Sequence, residues 1–343
     1  MLSAVYWGPG DIRPEEREIP SPGPRDVLIR VSHVGICGSD LEAYQNGGYA
    51  EGTIIGHEFS GIVEKVGSEV SALSRGERVT AAATVPCGTC RCCRSGRPSL
   101  CTSLELIGVN ADGAMAEYYC AAESLVYRLP KEIALDHAPL IDPLSNVVHA
   151  VRISSFRPGA SVAVVGAGPI GLLLTDLLHS SGAGQVAVFE TNPARLALAR
   201  KVGADHGVDP SVQNPATEGD VLTGGEGFDV VFVASGAAKA VQSAYDLVGP
   251  AGEVLVIGIV EQVATADYLR IVMSELTVRG SYLGFNEIPT AIDLLARRRV
   301  RGDLIVTRTV KGIPGAIEDG FPSLARPTSV DGKVVVEVHG GSR

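Results

Sequence analysis

The hydrophobic pattern of the chain changes near residue 151. Before it, short apolar runs such as residues 27–31 are separated by turns, which predicts a mainly β region. After it, apolar runs alternate with helical stretches, as in a parallel sheet with crossover helices. Strands are predicted at residues 161–165, 185–189, 228–236, 253–259 and 276–282, with turns such as residues 249–252 between them. The 343 residues therefore predict an α/β protein with two domains.

A glycine-rich turn follows the first strand of this second region. Residues 166–171 read Gly-Ala-Gly-Pro-Ile-Gly and open a helix. The missing side chains let the backbone approach a pyrophosphate, and the helix N-terminus stabilises its charge. Alone, the motif also fits a flexible glycine loop. The candidate cofactor-binding residues of this turn are Gly166, Gly168, Pro169, Ile170 and Gly171.

An acidic residue ends the second strand of the region. Glu190 lies 19 residues beyond Gly171, where a carboxylate accepts hydrogen bonds from the adenosine ribose and repels a 2′-phosphate. We therefore expect NAD rather than NADP. Asn192 is predicted to cap the next helix, with Pro193 in its first turn.

Five of the seven cysteines lie between residues 87 and 101. Cys87, Cys90, Cys93 and Cys101 follow the spacing C-x2-C-x2-C-x7-C, so one loop can present four thiolates tetrahedrally to a structural zinc. Disulfides, a nucleic-acid-binding zinc ribbon and clustered free thiols are the alternatives. The ribbon would require two CxxC pairs with a long spacer and a basic surface. Disulfides are disfavoured in a cytosolic protein.

The net charge limits what the protein could bind, and the first residues indicate where it would be found. The 29 Lys and Arg residues against 39 Asp and Glu residues give a formal charge of −10, which argues against a nucleic-acid or anionic membrane surface. The first residues lack the basic and apolar regions of a signal peptide, so we expect a cytoplasmic protein.

A second set of metal-ligand types lies in the first region. Cys37 is followed by Gly-Ser-Asp, and His57 and Glu58 stand together in a second loop. Cysteine, histidine and carboxylate are ligands of catalytic zinc, which keeps one position open. Taken singly, Cys37 also fits a buried apolar position and His57 a core histidine.

These residues carry a family resemblance. The pattern Gly56-His57-Glu58-x2-Gly61-x5-Gly67-x2-Val70 resembles the zinc signature of the zinc-containing medium-chain alcohol dehydrogenases. The four-cysteine lobe is similar to their structural zinc loop, and residues 37–40 resemble their first catalytic-zinc segment. Asp-Pro-Leu at residues 142–144, followed by His-Ala at 149–150, resembles the sorbitol, threonine and glucose dehydrogenase branch, which oxidises secondary alcohols and polyols.

The resemblance implies a fold. Residues 151–284 would form a dinucleotide-binding domain with a doubly wound Rossmann sheet. Residues 1–150 and 285–343 would form a discontinuous, GroES-like, mainly β catalytic domain, with a helix near residues 289–298 and a final strand at 333–338. Homo-oligomers, dimers or tetramers, accompany this architecture in the family.

The resemblance also implies roles around the catalytic zinc. Cys37 and His57 would ligate the metal, with Glu58 and Asp142 as the remaining or alternating ligands, although the branch usually has Glu where Asp142 stands. Asp40 would accept a hydrogen bond from the His57 ring. The residues implied in proton transfer are Ser39, which takes the substrate proton, and Glu42, which stands where many members have a proton-relaying His.

Three further positions are implied at the cofactor. Arg195 would lie near the adenosine ribose and its phosphate. Ile259 and Leu283 would lie beside the nicotinamide. Polyol dehydrogenases often have Arg at the position of Leu283.

The expected activity is zinc-assisted hydride transfer between NAD and a secondary alcohol in a polyol, sugar or cyclitol, with one catalytic and one structural zinc. The partner is a small-molecule alcohol or ketone. One alternative is a dehydrogenase of a simple diol, a hydroxy amino acid or a primary alcohol. Another is an inactive zinc-stabilised nucleotide-binding protein. The retention of Cys37, Ser39, His57 and Glu58 argues against it.

Overall fold

The computed structural model describes residues 1–260, 262–326 and 328–339. Its strands are β1 (Leu2–Gly8), β2 (Asp11–Glu16), β3 (Asp26–Gly35), β4 (Glu58–Val66), β5 (Arg78–Ala81), β6 (Thr84–Val85), β7 (Glu105–Leu106), β8 (Tyr118–Ala122), β9 (Val126–Arg128), β10 (Ser161–Val165), β11 (Gln185–Phe189), β12 (His206–Val208), β13 (Phe228–Val233), β14 (Val248–Val256), β15 (Thr277–Gly280), β16 (Val306–Lys311) and β17 (Lys333–Glu337). Its α-helices are α1 (Gly38–Asn46), α2 (Arg91–Arg94), α3 (Ile141–Ile153), α4 (Pro169–Ser180), α5 (Pro193–Lys201), α6 (Pro215–Thr223), α7 (Ala238–Leu247), α8 (Tyr268–Met273), α9 (Ile288–Ala296), α10 (Gly302–Ile305), α11 (Gly312–Gly315) and α12 (Phe321–Leu324). None of the helices in these residues is long and apolar enough to cross a membrane.

The chain divides into two compact units. The first comprises Met1–Asp142, Ile288–Ala296 and Val306–Arg343, and the second comprises Pro143–Glu287 and Arg297–Ile305. The α/β fold class predicted from the sequence is confirmed. The assignment of the units as catalytic and dinucleotide-binding domains stays a prediction.

The first unit is built on a seven-stranded sheet. Its strands run in the order β16-β17-β3-β4-β5-β9, and β8 pairs with β3. In β3, the alternate residues Val27, Ile29 and Val31 are all fully buried, because successive side chains of a strand point to opposite faces. They join a core that includes Ile36 and Ile55, which lie close in sequence to the candidate metal ligands Cys37 and His57.

The second unit contains a six-stranded parallel sheet in the order β12-β11-β10-β13-β14-β15. This is the strand order of a doubly wound dinucleotide-binding fold. Its central strands are buried on both faces, so their sequences are nearly continuous apolar runs. For this reason the predicted bounds of β10 and β11 agree with the structure.

The turn predicted at residues 249–252 lies inside β14 instead of between strands, so this prediction was wrong. Val248 pairs with Phe228 and Glu253 with Val230, so the residues between them bulge out of the pairing. Pro250 has no N–H to donate to the ladder, and Ala251 has a φ of 57°.

Part of the chain after residue 284 belongs to the second unit. The sequence placed residues 1–150 and 285–343 in the first unit, whereas Pro143–Glu287 and Arg297–Ile305 form the second. Arg301 makes three hydrogen bonds to the buried Asp176 carboxylate of α4, from its backbone N (2.7 Å), Nε (3.0 Å) and Nη2 (2.6 Å). These charge-assisted bonds hold the segment against α4.

Candidate metal and cofactor sites

The four cysteines of the predicted lobe lie together. The Sγ atoms of Cys87, Cys90, Cys93 and Cys101 all lie within 4.8 Å of one another. Cys90 is the N-cap of the short helix α2, and this turn of helix places Cys93 beside it, with an Sγ–Sγ distance of 3.5 Å. The local chain therefore assembles four thiols without help from distant elements.

Backbone N–H groups point at these sulfur atoms. The N–H groups of Cys87 and Ser103 each lie 3.3 Å from Cys101 Sγ, and the N–H of Cys90 lies 3.4 Å from Cys87 Sγ. The N–H of Cys93 is the main cause that lowers the pKa of Cys90 to about 5. Such donors stabilise thiolates, which are the form that binds metal, so the donor set fits zinc.

Three of the seven cysteines lie outside this group, among them Cys92 and Cys120. Cys92 follows the first two thiols of the lobe but does not share their cluster. Cys120 lies on β8, where burial raises its pKa to about 11. Neither thiol belongs to a cluster of metal-ligand side chains in the described residues.

A second cluster brings together residues from two loops. One ligand atom each from Cys37, His57 and Glu58 lies within 4.8 Å of the others. Cys37 is the N-cap of α1, and Glu58 is the first residue of β4. Gly56, directly before His57, has a φ of 87°, and a Cβ there would lie 3.0 Å from the Met115 Cβ, so this position favours glycine.

The electrostatics of this cluster favour a cation. Asp40 Oδ1 lies 3.7 Å from His57 Nδ1, and Asp40 Oδ2 accepts a hydrogen bond from the Cys37 N–H at 3.1 Å. Burial disfavours the charged form of His57, but the anionic groups of Cys37, Asp40 and Asp142 outweigh it and raise the pKa of the imidazole well above its usual value. The buried Nδ1 atom has no hydrogen-bond partner among the described residues. Cysteine, histidine and carboxylate donors in an anionic surrounding fit a zinc ion.

Two further charges face the cluster. Lys333 Nζ forms an ion pair with Glu58 Oε2 and donates a hydrogen bond to the Ile36 carbonyl at 3.1 Å. Asp142 lies outside the three-residue group, but its carboxyl is close enough for His57 and Glu58 to act on it. Desolvation by the surrounding protein raises the pKa of Asp142 to about 6. Sequence reasoning placed Lys333 only at the start of a strand and missed this contact.

The predicted proton-transfer residues lie on α1. Ser39 is half-buried in the first turn, whereas Glu42 is exposed and accepts a hydrogen bond from Asn46 Nδ2 at 2.6 Å. Tyr49, which no sequence pattern marked, donates from its hydroxyl to Asp40 Oδ1 at 3.2 Å.

The predicted phosphate-binding turn joins β10 to α4. A Cβ at Gly171 would lie 1.9 Å from the Gly166 carbonyl oxygen, so only glycine permits this close approach. Gly168 is the N-cap of α4, and Pro169 is in its first turn. Glu190 Oε2 accepts a hydrogen bond from the Ala167 N–H at 2.7 Å, which ties the acidic residue to the turn.

The remaining predicted cofactor residues also lie in the second unit. Asn192 Oδ1 accepts from the N–H groups of Ala194 (3.0 Å) and Arg195 (3.3 Å), which confirms the predicted helix cap. The Arg195 Nε atom is buried and has no hydrogen-bond partner in the part of the chain that the structure describes. Ile259 is 67% exposed, and Leu283 has a φ of 54°, a strained value for a branched side chain.

Comparison with family models gives two matches. Residues 23–131 match the alcohol dehydrogenase GroES-like domain, and residues 169–297 match the zinc-binding dehydrogenase domain. The two matches cover the four-cysteine lobe, the Cys37–His57–Glu58 cluster and most of the parallel sheet.

Individual relatives agree with this result. L-threonine 3-dehydrogenase of Rhizobium etli (strain CIAT 652) is 37% identical over 94% of both chains. The crystal structure of 2R,3R-butanediol dehydrogenase from Bacillus subtilis has a TM-score of 0.91 at 30% identity, covering 98% of this chain and 99% of that one. A candidate zinc-binding dehydrogenase of Sinorhizobium meliloti 1021, bound to NADP, also has a TM-score of 0.91 at 30% identity, covering 98% of each chain. The predicted zinc-dependent alcohol or polyol oxidoreductase class is therefore confirmed, and the chain belongs to the zinc-containing medium-chain alcohol dehydrogenase family.

Proposed function

We propose that the protein catalyses reversible hydride transfer between NAD and a secondary alcohol of the polyol, sugar or cyclitol class. The observation that carries the proposal is the grouping of Cys37, His57 and Glu58, whose ligand atoms lie within 4.8 Å at the N-terminus of α1. Ser39 and Asp40 lie two and three residues after Cys37, in the first turn of α1. Metal ligands and polar groups for proton transfer thus share one site.

We assign one zinc to this cluster and one to the four-cysteine lobe. Cys37 and His57 would hold the catalytic zinc, and Glu58 or Asp142 would complete its ligands, directly or through water. When bound, zinc supplies Lewis-acid chemistry that lowers the pKa of a hydroxyl group at its open position. Asp40 would fix the orientation of the His57 ring.

Ser39 is the proposed acceptor of the substrate hydroxyl proton. Glu42 lies three residues further along α1, and residues at this spacing are neighbours on a helix surface. Because Glu42 is exposed, it would pass the proton on to solvent. NAD, when bound, would supply C4 of its nicotinamide ring as the acceptor of the hydride from the alcohol carbon, and the product would be a ketone.

The glycine turn and Glu190 are the proposed NAD site. Glu190 Oε1 accepts a hydrogen bond from the Asn192 N–H at 2.8 Å, so both carboxylate oxygens are fixed at the end of β11. A fixed carboxylate there favours ribose hydroxyls over a 2′-phosphate. Arg195 would instead favour a 2′-phosphate, because its buried Nε lacks a hydrogen-bond partner among the described residues. We place Ile259 and Leu283 beside the nicotinamide.

A second substrate class is favoured by the named relatives. Threonine and 2,3-butanediol, the substrates in the names of two of them, are small secondary alcohols with a polar group on the neighbouring carbon. The absence of an Arg at Leu283 fits a substrate with fewer hydroxyl groups than a polyol. A simple diol or a hydroxy amino acid is therefore the alternative.

We also propose a homo-oligomer. The side chains of Tyr268, Leu269, Val272 and Met273 on α8 are each at least 72% exposed. The neighbouring strand β15 is the edge strand of the parallel sheet, and all four of its residues are exposed. An apolar surface beside a free strand edge is a typical protein interface. Light scattering should give the mass of a dimer or tetramer, and a mass of 35.7 kDa would contradict the proposal.

The experiment for the activity is a reduced-nicotinamide absorbance assay across polyols, sugars, cyclitols, vicinal diols and L-threonine, with NAD and NADP in parallel. Turnover of polyols or cyclitols with NAD supports the leading proposal. Turnover confined to diols or threonine supports the alternative. Zinc-loaded protein with no turnover of any alcohol or ketone would contradict both.

A further inference from the structure

Tyr49 lies beside the candidate catalytic cluster but has no part in the scheme above. It belongs to the loop between α1 and β4 and is half-buried. Its hydroxyl donates a hydrogen bond to Asp40 Oδ1 at 3.2 Å. The same oxygen atom lies 3.7 Å from His57 Nδ1, so the phenol contacts the carboxylate that faces the histidine ring.

The Asp40 carboxylate is held at both oxygen atoms. The Cys37 N–H fixes Oδ2 at 3.1 Å, and the Tyr49 hydroxyl fixes Oδ1. Asp40 is only 2% exposed, so solvent cannot replace a lost donor readily. Two donors on opposite oxygens define the plane of the carboxylate and therefore the direction in which Oδ1 meets the imidazole.

The phenol is itself held in place. Its ring packs edge-on against Tyr6, with centroids 5.9 Å apart and planes at 63°. Tyr6 is 2% exposed and donates its hydroxyl to the Ala43 carbonyl of α1 at 3.2 Å. Burial raises the pKa of the Tyr49 phenol, so the group keeps the proton that it donates to Asp40.

We propose that Tyr49 is a positioning residue of the catalytic centre, which holds Asp40 in the orientation that fixes the His57 ring as a metal ligand. This inference rests on the proposed function, since it takes His57 as a ligand of the catalytic zinc. The carboxylate partner of a ligating histidine sets its tautomer and orientation, and loss of such a partner typically costs about 10- to 100-fold in metal affinity or activity.

The test compares Tyr49→Phe with wild type. This substitution removes one oxygen atom and keeps the ring that packs on Tyr6. Tyr44→Phe is the matched control, because Tyr44 also lies in the first unit and packs its ring on Phe321 at 5.5 Å. We expect Tyr49→Phe to lower kcat about tenfold with an unchanged KM for NAD, and Tyr44→Phe to match wild type.

A second readout does not need turnover. Zinc release into excess chelator should show two phases, and the phase that Cys37→Ser eliminates reports the catalytic site. Tyr49→Phe should accelerate this phase about tenfold and leave the other phase unchanged. Acceleration of both phases equally, or of neither, would overturn the inference.

A double substitution separates positioning from loop packing. In the Asp40→Asn variant, the neutral amide is a weaker partner for the His57 ring, so its orientation matters less. Adding Tyr49→Phe to this variant should therefore change kcat and the rate of zinc release less than twofold. If the two effects multiply, Tyr49 acts independently of Asp40 and the inference is wrong. An inactive wild type would contradict the proposed function, whereas active wild type with unaffected Tyr49→Phe would contradict this inference alone.

Discussion

Lys333 Nζ and the Glu58 carboxylate form an ion pair although each residue is only 1% exposed. Burial alone would lower the pKa of Lys333, but Glu58 and Cys37 hold it above its usual value. The ammonium also donates to the Ile36 carbonyl, one residue before Cys37. The first residue of β17 thus anchors both segments that carry the candidate catalytic ligands.

Removing one partner of this pair should destabilise the first unit. Lys333→Met leaves Glu58 buried without its ion-pair partner, and the loss of one partner of a buried ion pair typically costs about 3–5 kcal/mol. Lys65→Met is the control, because Lys65 is exposed on β4 of the same sheet and should change stability by no more than about 0.5 kcal/mol. Urea unfolding followed by the fluorescence of Trp7, the single tryptophan, reports on this unit. Equal stability of the two variants would show that Glu58 does not depend on Lys333.

The four-cysteine lobe should bind zinc independently of the catalytic cluster. Cys101→Ser should reduce the zinc content by about one per chain and lower the melting temperature, because structural zinc contributes ~10–16 kcal/mol in peptides, comparable to the ~5–15 kcal/mol stability of a domain. Cys92→Ser is the control and should keep the metal. Elemental analysis decides, and an unchanged zinc content in Cys101→Ser would refute the structural site.

Glu190 should determine the choice of cofactor. We expect a higher kcat/KM with NAD than with NADP. Glu190→Ala should lower the ratio of kcat/KM with NAD to kcat/KM with NADP, because it removes the repulsion of the 2′-phosphate. Arg195→Ala is the companion variant and should raise this ratio. Steady-state kinetics with both cofactors test this, and a wild-type preference for NADP would mean that Arg195 outweighs the carboxylate.

Local signals made much of this fold predictable. The spacing of the cysteines and the G-x-G-x-x-G turn are properties of short segments, and the buried strands β10 and β11 have apolar sequences along their whole length. Contacts between distant segments left no such signal. Lysine is rarely buried, so nothing in the sequence indicated that Lys333 would lie under Glu58. Tyr49 stands in a glycine-rich loop without periodicity, and its contact with Asp40 depends on how that loop folds.

Asp142 should affect the catalytic zinc although it lies outside the ligand cluster. Asp142→Asn keeps the shape of the side chain and removes its charge. We expect about 10- to 100-fold lower metal affinity or activity if the carboxylate acts through water or a hydrogen bond, and a larger loss if it ligates zinc. Zinc titration and kcat measure the effect. Wild-type kinetics with full zinc occupancy would show that Asp142 only lines the site.

The central claim is that Cys37 and His57 hold a catalytic zinc. Its most direct test is the turnover of Cys37→Ser, measured together with zinc content and NAD binding. We predict that turnover is abolished and about one zinc per chain is lost, while NAD binding and the zinc of the four-cysteine lobe remain, because Cys37 lies outside both the lobe and the glycine turn. Retention of both zinc ions with wild-type turnover would contradict the account.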